Sequence, residues 1–486
     1  MATAETVATR MQRIERALVP RHARPGDDTP AETLAAQMVY DSIPGVSIAL
    51  IVDGAIAYVQ GYGVRDAETR APVTPETRFQ AASISKPVAV LGALRLVERG
   101  VLDLDADVND VLTSWKVPPS DGWQPRVTLR QLANHSAGMT VHGFPGYRRD
   151  APQPTLLQVL DGMPPANTMP IRVDTIPGTQ FRYSGGGTSI IQQLLLDVTG
   201  TPFPDLMREL VLEPLGMHDS GYLQPLPEEL HDHAATGHRT GGGPLTGKWH
   251  VYPEIAAAGL WTTPSDLARF AIGLQRAYAG EPGSILAQPL AREMLTPQIV
   301  SDGRTGGLNA LGIGPFLGGE GKTARFGHSG GNEGFRCHLL AYREGGYGAA
   351  VMTNSDAGSA LVETLFDAIA REFDWPGYLP ERPAPVTLPP EALERFAGVY
   401  ALRPDFTLTV QRDGDALSVQ PTGQPPLRFT PESATTFAAD SVTTKLIFDS
   451  DADTVRRVRF KQNGQVMDLT PCAPSSREGG TRAGRL

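Results

Sequence analysis

The sequence predicts an α+β fold, with antiparallel strands at both ends of a long helical insertion, followed by a small all-β module. A β-rich hairpin opens the patterned part of the chain, and a second strand pair returns only after a helical, loop-rich stretch. Beyond a proline-dense segment, short alternating runs take over. At 486 residues, 41% of them hydrophobic, the chain exceeds one ordinary core, so two domains are expected.

Taken in order, Val7, Met11, Ile14 and Leu18 recur at helical spacing and predict an amphipathic helix. "PGVSIALIVDGAIAYVQGYGV" then reads as two strands joined at Asp53-Gly54, a dipeptide that favours a tight hairpin. Helical patterns follow in "KPVAVLGALRLVERG", expected to be amphipathic, and in "TSIIQQLLLDVTG" and "FPDLMRELVLEPLG", each ended by glycine. Pro/Gly-rich text such as 150–178 separates them. After the helix "TPSDLARFAIGLQRAYAG", strands return in "FRCHLLAYREGGYGAAVMTNS" around Glu344-Gly345-Gly346, and "SALVETLFDAIAREFDW" closes the unit as a helix.

"PGYLPERPAPVTLPP" reads as a stiff extended linker. The expected organisation is a first domain over 1–375, a linker over 376–390, an antiparallel β module over 391–473 and a disordered tail over 474–486. No internal repeat points to a solenoid.

Charge narrows the function classes. With 43 basic against 53 acidic residues, a net charge of -10 and no dense Lys/Arg block, the footprint of a nucleic-acid binder is missing. No apolar run is long enough to span a bilayer and the first residues lack a secretory h-region, so a soluble cytoplasmic protein with no membrane partner is expected. Cys337 and Cys472 fit no metal or redox spacing and read as unpaired thiols of a reducing compartment.

Two serines compete for the role of nucleophile. "GHSGG" around Ser329 matches the G-x-S-x-G elbow, but that chemistry needs an acid and then a histidine downstream, and only His338 follows, inside an expected strand. Gly330, Gly331 and Asn332 also lead into a strand where a helix is required. Ser83 and Lys86 stand three apart at the apparent start of a helix, which puts an amine beside a hydroxyl on one face. A lysine can take the serine proton if burial or cationic neighbours lower its pKa, and the helix N-terminus favours the developing oxyanion. Pro87 suits the first turn. The bland alternative is a helix cap with a solvated lysine.

Further along, "FRYSGGG" sets Tyr183 before a glycine run and a helix start, and His328-Ser329-Gly330 lies beside a strand pair. The ordered motifs S-x-x-K (Ser83 to Lys86), Y-S-x (Tyr183 to Gly185) and H-S-G (His328 to Gly330), with flanking "LRQLANHSAGM", "LVLEPLGM" and "GLWTTPSDLARF", resemble the serine β-lactamases of class C and the related penicillin-binding DD-peptidases, D-aminopeptidases and family VIII carboxylesterases. The resemblance implies a class C β-lactamase-like fold, with an antiparallel sheet flanked by terminal helices plus a helical subdomain. It implies Ser83 as acylated nucleophile, Lys86 as its proton acceptor, Tyr183 as proton shuttle and His328 in the place where many relatives have lysine. The N-H groups of Ser83 and Gly331 would form the oxyanion hole. Gly185, Ser329 and Gly330 would border the substrate. The terminal β module resembles the lipocalin-like barrel appended to some members.

Gly185 stands where β-lactamases usually carry an asparagine that binds the acylamide side chain, and His328 replaces a fixed cation. Both departures point to a serine hydrolase of esterase or D-amino-peptidase type, acting on a small ester, amide or short peptide without metal or other cofactor, with weak β-lactam turnover. The alternatives are an acyltransferase or peptide cyclase of the penicillin-binding-type thioesterase kind, and a non-catalytic binding or sensor protein. His231, His233 and His238 match no zinc pattern and read as solvated loop histidines; His135 and His142 flank "SAGM" and read as ordinary loop packing or, alternatively, as bordering the cleft; Trp123, Trp249, Trp261 and Tyr252 read as pocket lining or core.

Overall fold

The structure is a computed structural model that describes residues 5–19, 31–304, 306–379, 386–403, 405–439, 444–451, 454–462 and 465–472. The expected tail at 474–486, and 380–385 of the expected linker, lie outside the described residues. The described chain divides after Leu379 into two compact units.

The first unit is built on an antiparallel sheet. Its strands are β1 (Gly45–Val52), β2 (Ala55–Gly63), β3 (Ile299–Arg304), β4 (Leu308–Leu311), β5 (Phe316–Gly318), β6 (Arg325–Asn332), β7 (Phe335–Tyr342) and β8 (Gly348–Thr353), in the order β2-β1-β8-β7-β6-β5-β4-β3. β1 and β2 turn at Asp53 and Gly54, whose φ values of 52° and 71° are those of a tight hairpin turn. β1 then pairs with β8, so the first and last strands of the unit lie side by side. Side chains alternate between two cores: Ile48, Leu50, Leu340 and Val351 face α1 (Val7–Arg16) and α5 (Gly358–Glu372), while Ala49, Ile51, Leu339 and Ala350 face the other layer. That layer includes α2 (Ser85–Glu98), α3 (Gly185–Thr199) and α4 (Pro264–Ala279).

Two expectations need correction. The helix that follows Ser83 is not amphipathic: from Ser85 to Leu94 every residue of α2 is buried, because sheet and helical layer enclose it on all sides. The second is that strands return only around "FRCHLLAYREGGYGAAVMTNS": β3, β4 and β5 come before it. Strands as short as β4 and β5 carry little alternation, and it is the pairing of β5 with β6 and of β4 with β5 that makes them visible.

The second unit is a closed antiparallel barrel of β9 (Gly398–Arg403), β10 (Phe406–Asp413), β11 (Ala416–Pro421), β12 (Leu427–Pro431), β13 (Thr436–Ala439), β14 (Thr444–Asp451), β15 (Thr454–Gln462) and β16 (Gln465–Pro471). Tyr400 and Ala401 of β9 pair with Pro471 and Thr470 of β16, which removes the open edge. Its core holds Leu408, Val410, Leu417, Val419 and Leu446, and the ring of Phe396 meets Phe448 at 4.5 Å and Phe437 at 5.1 Å.

Candidate active site

The open part of β6 organises the site. Along its whole length β6 pairs with β7, but on the other side β5 covers only Arg325 to Gly327, so among the described residues no strand pairs with His328 to Asn332 on that side. Asn332 and Phe335 close a two-residue turn and form its hydrogen-bonded pair. Alternation along the strand then points the N-H groups of Ser329 and Gly331 away from β7, toward that side. Ser329 and Gly331 are exposed, whereas His328 and Gly330 are buried.

The turn Ala82–Ile84, which carries Ser83, packs against this edge. Its approach is close because Gly330 has no side chain: a Cβ there would stand 2.2 Å from the Ala81 carbonyl oxygen and 2.5 Å from Cys337 Sγ. Cys337 Sγ donates to the same Ala81 oxygen at 3.2 Å. Asn332 Nδ2 donates to Gln80 Oε1 at 2.8 Å and to Ala258 O at 3.1 Å, pinning the strand end to two neighbouring segments. Ala82 takes a φ of 50°, rare for a side chain with a Cβ, and this bends the chain before α2 begins at Ser85.

Ser83 is half-buried, and Lys86 Nζ donates to its Oγ at 3.0 Å. Buried at 4% exposure, the same nitrogen donates to the Ala257 carbonyl at 2.8 Å. Ala257 belongs to the short helix Ile255–Ala258, which a hydrogen bond from the Leu260 N-H to Ser85 Oγ ties back to the start of α2. Lys86 Nζ also lies 5.2 Å from the centre of the Tyr183 ring. S-x-x-K and Y-S-x, far apart in sequence, therefore meet in one place.

Tyr183 sits just before α3, whose first turn is Gly185 to Gly187. Ser184 caps that helix, accepting from the Gly187 N-H at 3.0 Å, and its hydroxyl donates to the Thr140 carbonyl at 2.7 Å. The Gly185 and Gly186 N-H groups donate to the His142 and Val141 carbonyls. These bonds lay 140–144 directly over the helix start, and a Cβ at Gly185 would meet Phe144 Cε2 at 2.9 Å.

Three imidazoles surround the phenol. Ring centres of His135, His142 and His328 lie 4.4, 4.9 and 6.0 Å from that of Tyr183, and Phe316 stacks on it at 6.2 Å. His328 Nδ1 is 2.6 Å from the Ser329 carbonyl oxygen, which only accepts, so this nitrogen carries a proton. His135 has the opposite arrangement: its Nδ1 accepts from the Ser184 N-H at 3.3 Å. Of the two readings of His135 and His142, loop packing and the border of the cleft, their ring contacts with Tyr183 favour the second. No local pattern announces them, because only the closure of the 134–144 loop onto α3 brings them to Tyr183.

Ser329 borders the exposed edge of β6, and the other positions weighed in the sequence lie elsewhere in the unit. Ser329 lies on a strand with no helix after it, which excludes the elbow. His338 is buried in β7 with its ring 4.8 Å from Phe366. Of the histidines read as solvated, His238 is instead fully buried, donating from Nδ1 to the Asn354 carbonyl at 2.9 Å, and burial lowers its pKa. His231 is half-buried against Trp249, and His233 is exposed. Trp249, Trp261 and Tyr252 belong to the core, whereas Trp123 is exposed. Among the described residues no group of His, Cys, Asp and Glu is placed to hold a metal ion, and no helix is long and apolar enough to cross a membrane.

Comparison with known proteins bears on this geometry. A family model described as Beta-lactamase matches residues 31–372, and one described as Domain of unknown function (DUF3471) matches 382–472. Esterase EstB of Burkholderia gladioli is 31% identical over 191 residues, 36% of this chain and 46% of the esterase, so the match spans just under half of that relative. Penicillin-binding protein 4 of Amycolatopsis lactamdurans is 27% identical over 369 residues, covering 74% of this chain and 93% of the relative. In fold, the octameric penicillin-binding protein homologue from Pyrococcus abyssi superposes with a TM-score of 0.60 at 23% identity, over 90% of this chain and 98% of the other. The D-amino acid amidase from Ochrobactrum anthropi SV3 superposes at 0.54 and 24% identity, over 70% and 95%. With the family model spanning well over half of the sequence and the sheet, helical layer and terminal helices all in place, the chain belongs to the beta-lactamase family of serine hydrolases.

Proposed function

We propose that the protein hydrolyses small esters and amides, including D-amino acid amides and short peptides, through an acyl-enzyme on Ser83. The observation that carries this reading is the contact of Lys86 Nζ with Ser83 Oγ at 3.0 Å, held from behind by the Ala257 carbonyl. As Ser83 Oγ attacks the substrate carbonyl, Lys86 in its amine form takes the hydroxyl proton. The carbonyl oxygen becomes an oxyanion that receives the N-H groups of Ser83 and Gly331, and such preorganised donors contribute several kcal/mol to the transition state. Tyr183 passes a proton to the leaving group as the scissile bond breaks. In the second half-reaction the deprotonated Tyr183 takes a proton from the attacking water, the bond from the acyl carbon to Ser83 Oγ breaks, and Lys86 returns its proton to that oxygen. His328 lines the Tyr183 end of the cleft, with Ser329 and Gly330 along the edge of β6.

Two features favour esters and simple amides over acylamido β-lactams. At Gly185 the place of an amide side chain is taken by the Phe144 ring, and His328 stands where a fixed cation would hold a substrate carboxylate. The likeness to an esterase and, in fold, to a D-amino acid amidase supports the same substrate classes. We assign this chemistry to the domain over 1–375 and read the barrel over 391–473 as a lipocalin-like module.

The test is a side-by-side assay of a short-chain p-nitrophenyl ester, a D-amino acid amide and a chromogenic cephalosporin, with Ser83→Ala as control and a fluorophosphonate adduct mapped by mass spectrometry. Turnover of the first two that vanishes in Ser83→Ala, with the adduct on Ser83, is expected. An adduct on Ser329 alone would overturn the assignment.

A further inference from the structure

His135 grips the segment that carries Tyr183 from both sides. Its carbonyl oxygen accepts from the Arg182 N-H at 2.8 Å, and its ring Nδ1 accepts from the Ser184 N-H at 3.3 Å. Between these bonds its ring lies over the Tyr183 ring, centres 4.4 Å apart at 45°. One residue thus contacts the residue before Tyr183, the tyrosine itself and the residue after it. Resting on the reading that Tyr183 carries the proton, we propose that His135 is the positioning residue that holds the Tyr183 phenol in register with Lys86 and Ser83.

The loop that presents His135 is fixed without help from Tyr183. Thr128 and Gln131 form a capping box on the helix Leu129–Ala133, and Asn134 Oδ1 then accepts from the Ser136 N-H and hydroxyl. On the far side the Ser136 carbonyl accepts from the Gly178 N-H at 2.7 Å. Gly138, with φ at 66°, packs so tightly that a Cβ would meet the Thr175 carbonyl oxygen at 2.1 Å. His135 itself has a φ of 56° and only 4% exposure. A non-glycine residue in the left-handed region costs free energy that the surroundings must offset, and such residues concentrate at functional sites.

The chemistry of the ring suits the task. With Nδ1 accepting a backbone N-H, a neutral imidazole carries its proton on Nε2. The ring therefore supports the phenol without placing an imidazolium beside Lys86, whose Nζ is 5.2 Å from the Tyr183 ring centre.

The experiment compares His135→Gly and His135→Asn in the full-length chain, each alone and combined with Tyr183→Phe. Acylation by a p-nitrophenyl ester is followed by stopped flow, and folding by circular dichroism. Glycine keeps the backbone conformation and removes both the acceptor and the ring, whereas asparagine tolerates the same φ and offers Oδ1 in the place of Nδ1. His135→Gly should lower kcat about 10- to 100-fold with KM little changed, the loss that small misplacement of a reacting group brings. His135→Asn should recover most of it, and in the Tyr183→Phe background His135→Gly should cost almost nothing further.

A merely structural role would instead give the same fold-loss in both backgrounds, or a change confined to KM, and either result overturns the proposal. Should His135→Gly fail to fold, a folded His135→Asn with the activity of a Tyr183→Phe variant would overturn it equally. If Tyr183→Phe itself leaves kcat unchanged, both the role of Tyr183 and the proposal fall. If Tyr183→Phe abolishes turnover while His135→Gly does not lower it, only the proposal does.

Discussion

The ring of Phe144 fills the space beside Gly185: a Cβ on that glycine would stand 2.9 Å from Phe144 Cε2 and 3.3 Å from Cδ2. Gly185→Asn is therefore expected to destabilise the protein by about 1–3 kcal/mol through overpacking. Phe144→Ala in the same chain should restore most of that loss and raise the ratio of cephalosporin to ester turnover. Thermal melts and the two chromogenic assays check this, and a single Gly185→Asn variant as stable as the parent would refute the steric account.

Lys86→Ala and Tyr183→Phe should each lower the acylation rate by about two to four orders of magnitude, the usual range for a positioned acid or base. Because Lys86 is buried against the Ala257 carbonyl, Lys86→Met serves as the shape-matched control. Circular dichroism should show both variants folded, and unchanged single-turnover kinetics in either would remove that residue from its role.

The two cysteines should differ sharply in reactivity. Cys337 is buried beneath the Ser83 turn and burial pushes its thiol up to about 12, whereas Cys472 is exposed. A chromogenic disulfide reagent at pH 8 should titrate one thiol in the native chain and two after denaturation. Rapid titration of both in the native state would show that the turn does not cover Cys337 as described.

Glu254, fully buried one turn before Ala257, ties stability to pH. Burial pushes its carboxyl up from 4.5 to about 7, opposed in part by its own backbone N-H. The folded state keeps a proton that the unfolded chain releases, so stability falls as pH rises from 4.5 through about 7, and the full cost persists above that. That cost is on the order of 3 kcal/mol. Glu254→Gln should match the parent near pH 4 and exceed it above pH 7 in urea melts. Parallel pH profiles would show that Glu254 is not held neutral.

Much of the architecture is legible along the chain because its signals are local. Asp53-Gly54 marks a hairpin that needs only its own backbone conformation, and the helix that becomes α5 shows its period in one short stretch. Ser83 and Lys86 are legible for a similar reason: three residues of helical rise suffice to place an amine beside a hydroxyl, and the atoms stand 3.0 Å apart. Gly330 and Gly331 read as small so that the strand edge can approach the substrate, whereas at Gly330 it is the Ala81 carbonyl that takes the space.

The rest depends on contacts between distant segments. Strands β3 to β5 are too short and glycine-rich to show alternation, and α2 looks amphipathic until two layers close over it. The place of His135, His142 and Phe144 around the start of α3 is not legible, since nothing within their loop reveals that Ser184, Gly185 and Gly186 will bind its carbonyls. By itself the sequence determined the family resemblance, the α+β order of elements and the pairing of Ser83 with Lys86, all encoded within a few residues of each other or in ordered motifs. Only the tertiary structure decided which side chains enclose Tyr183 and what occupies the place beside Gly185, because backbone hydrogen bonds between segments remote in sequence leave no periodic trace in either one.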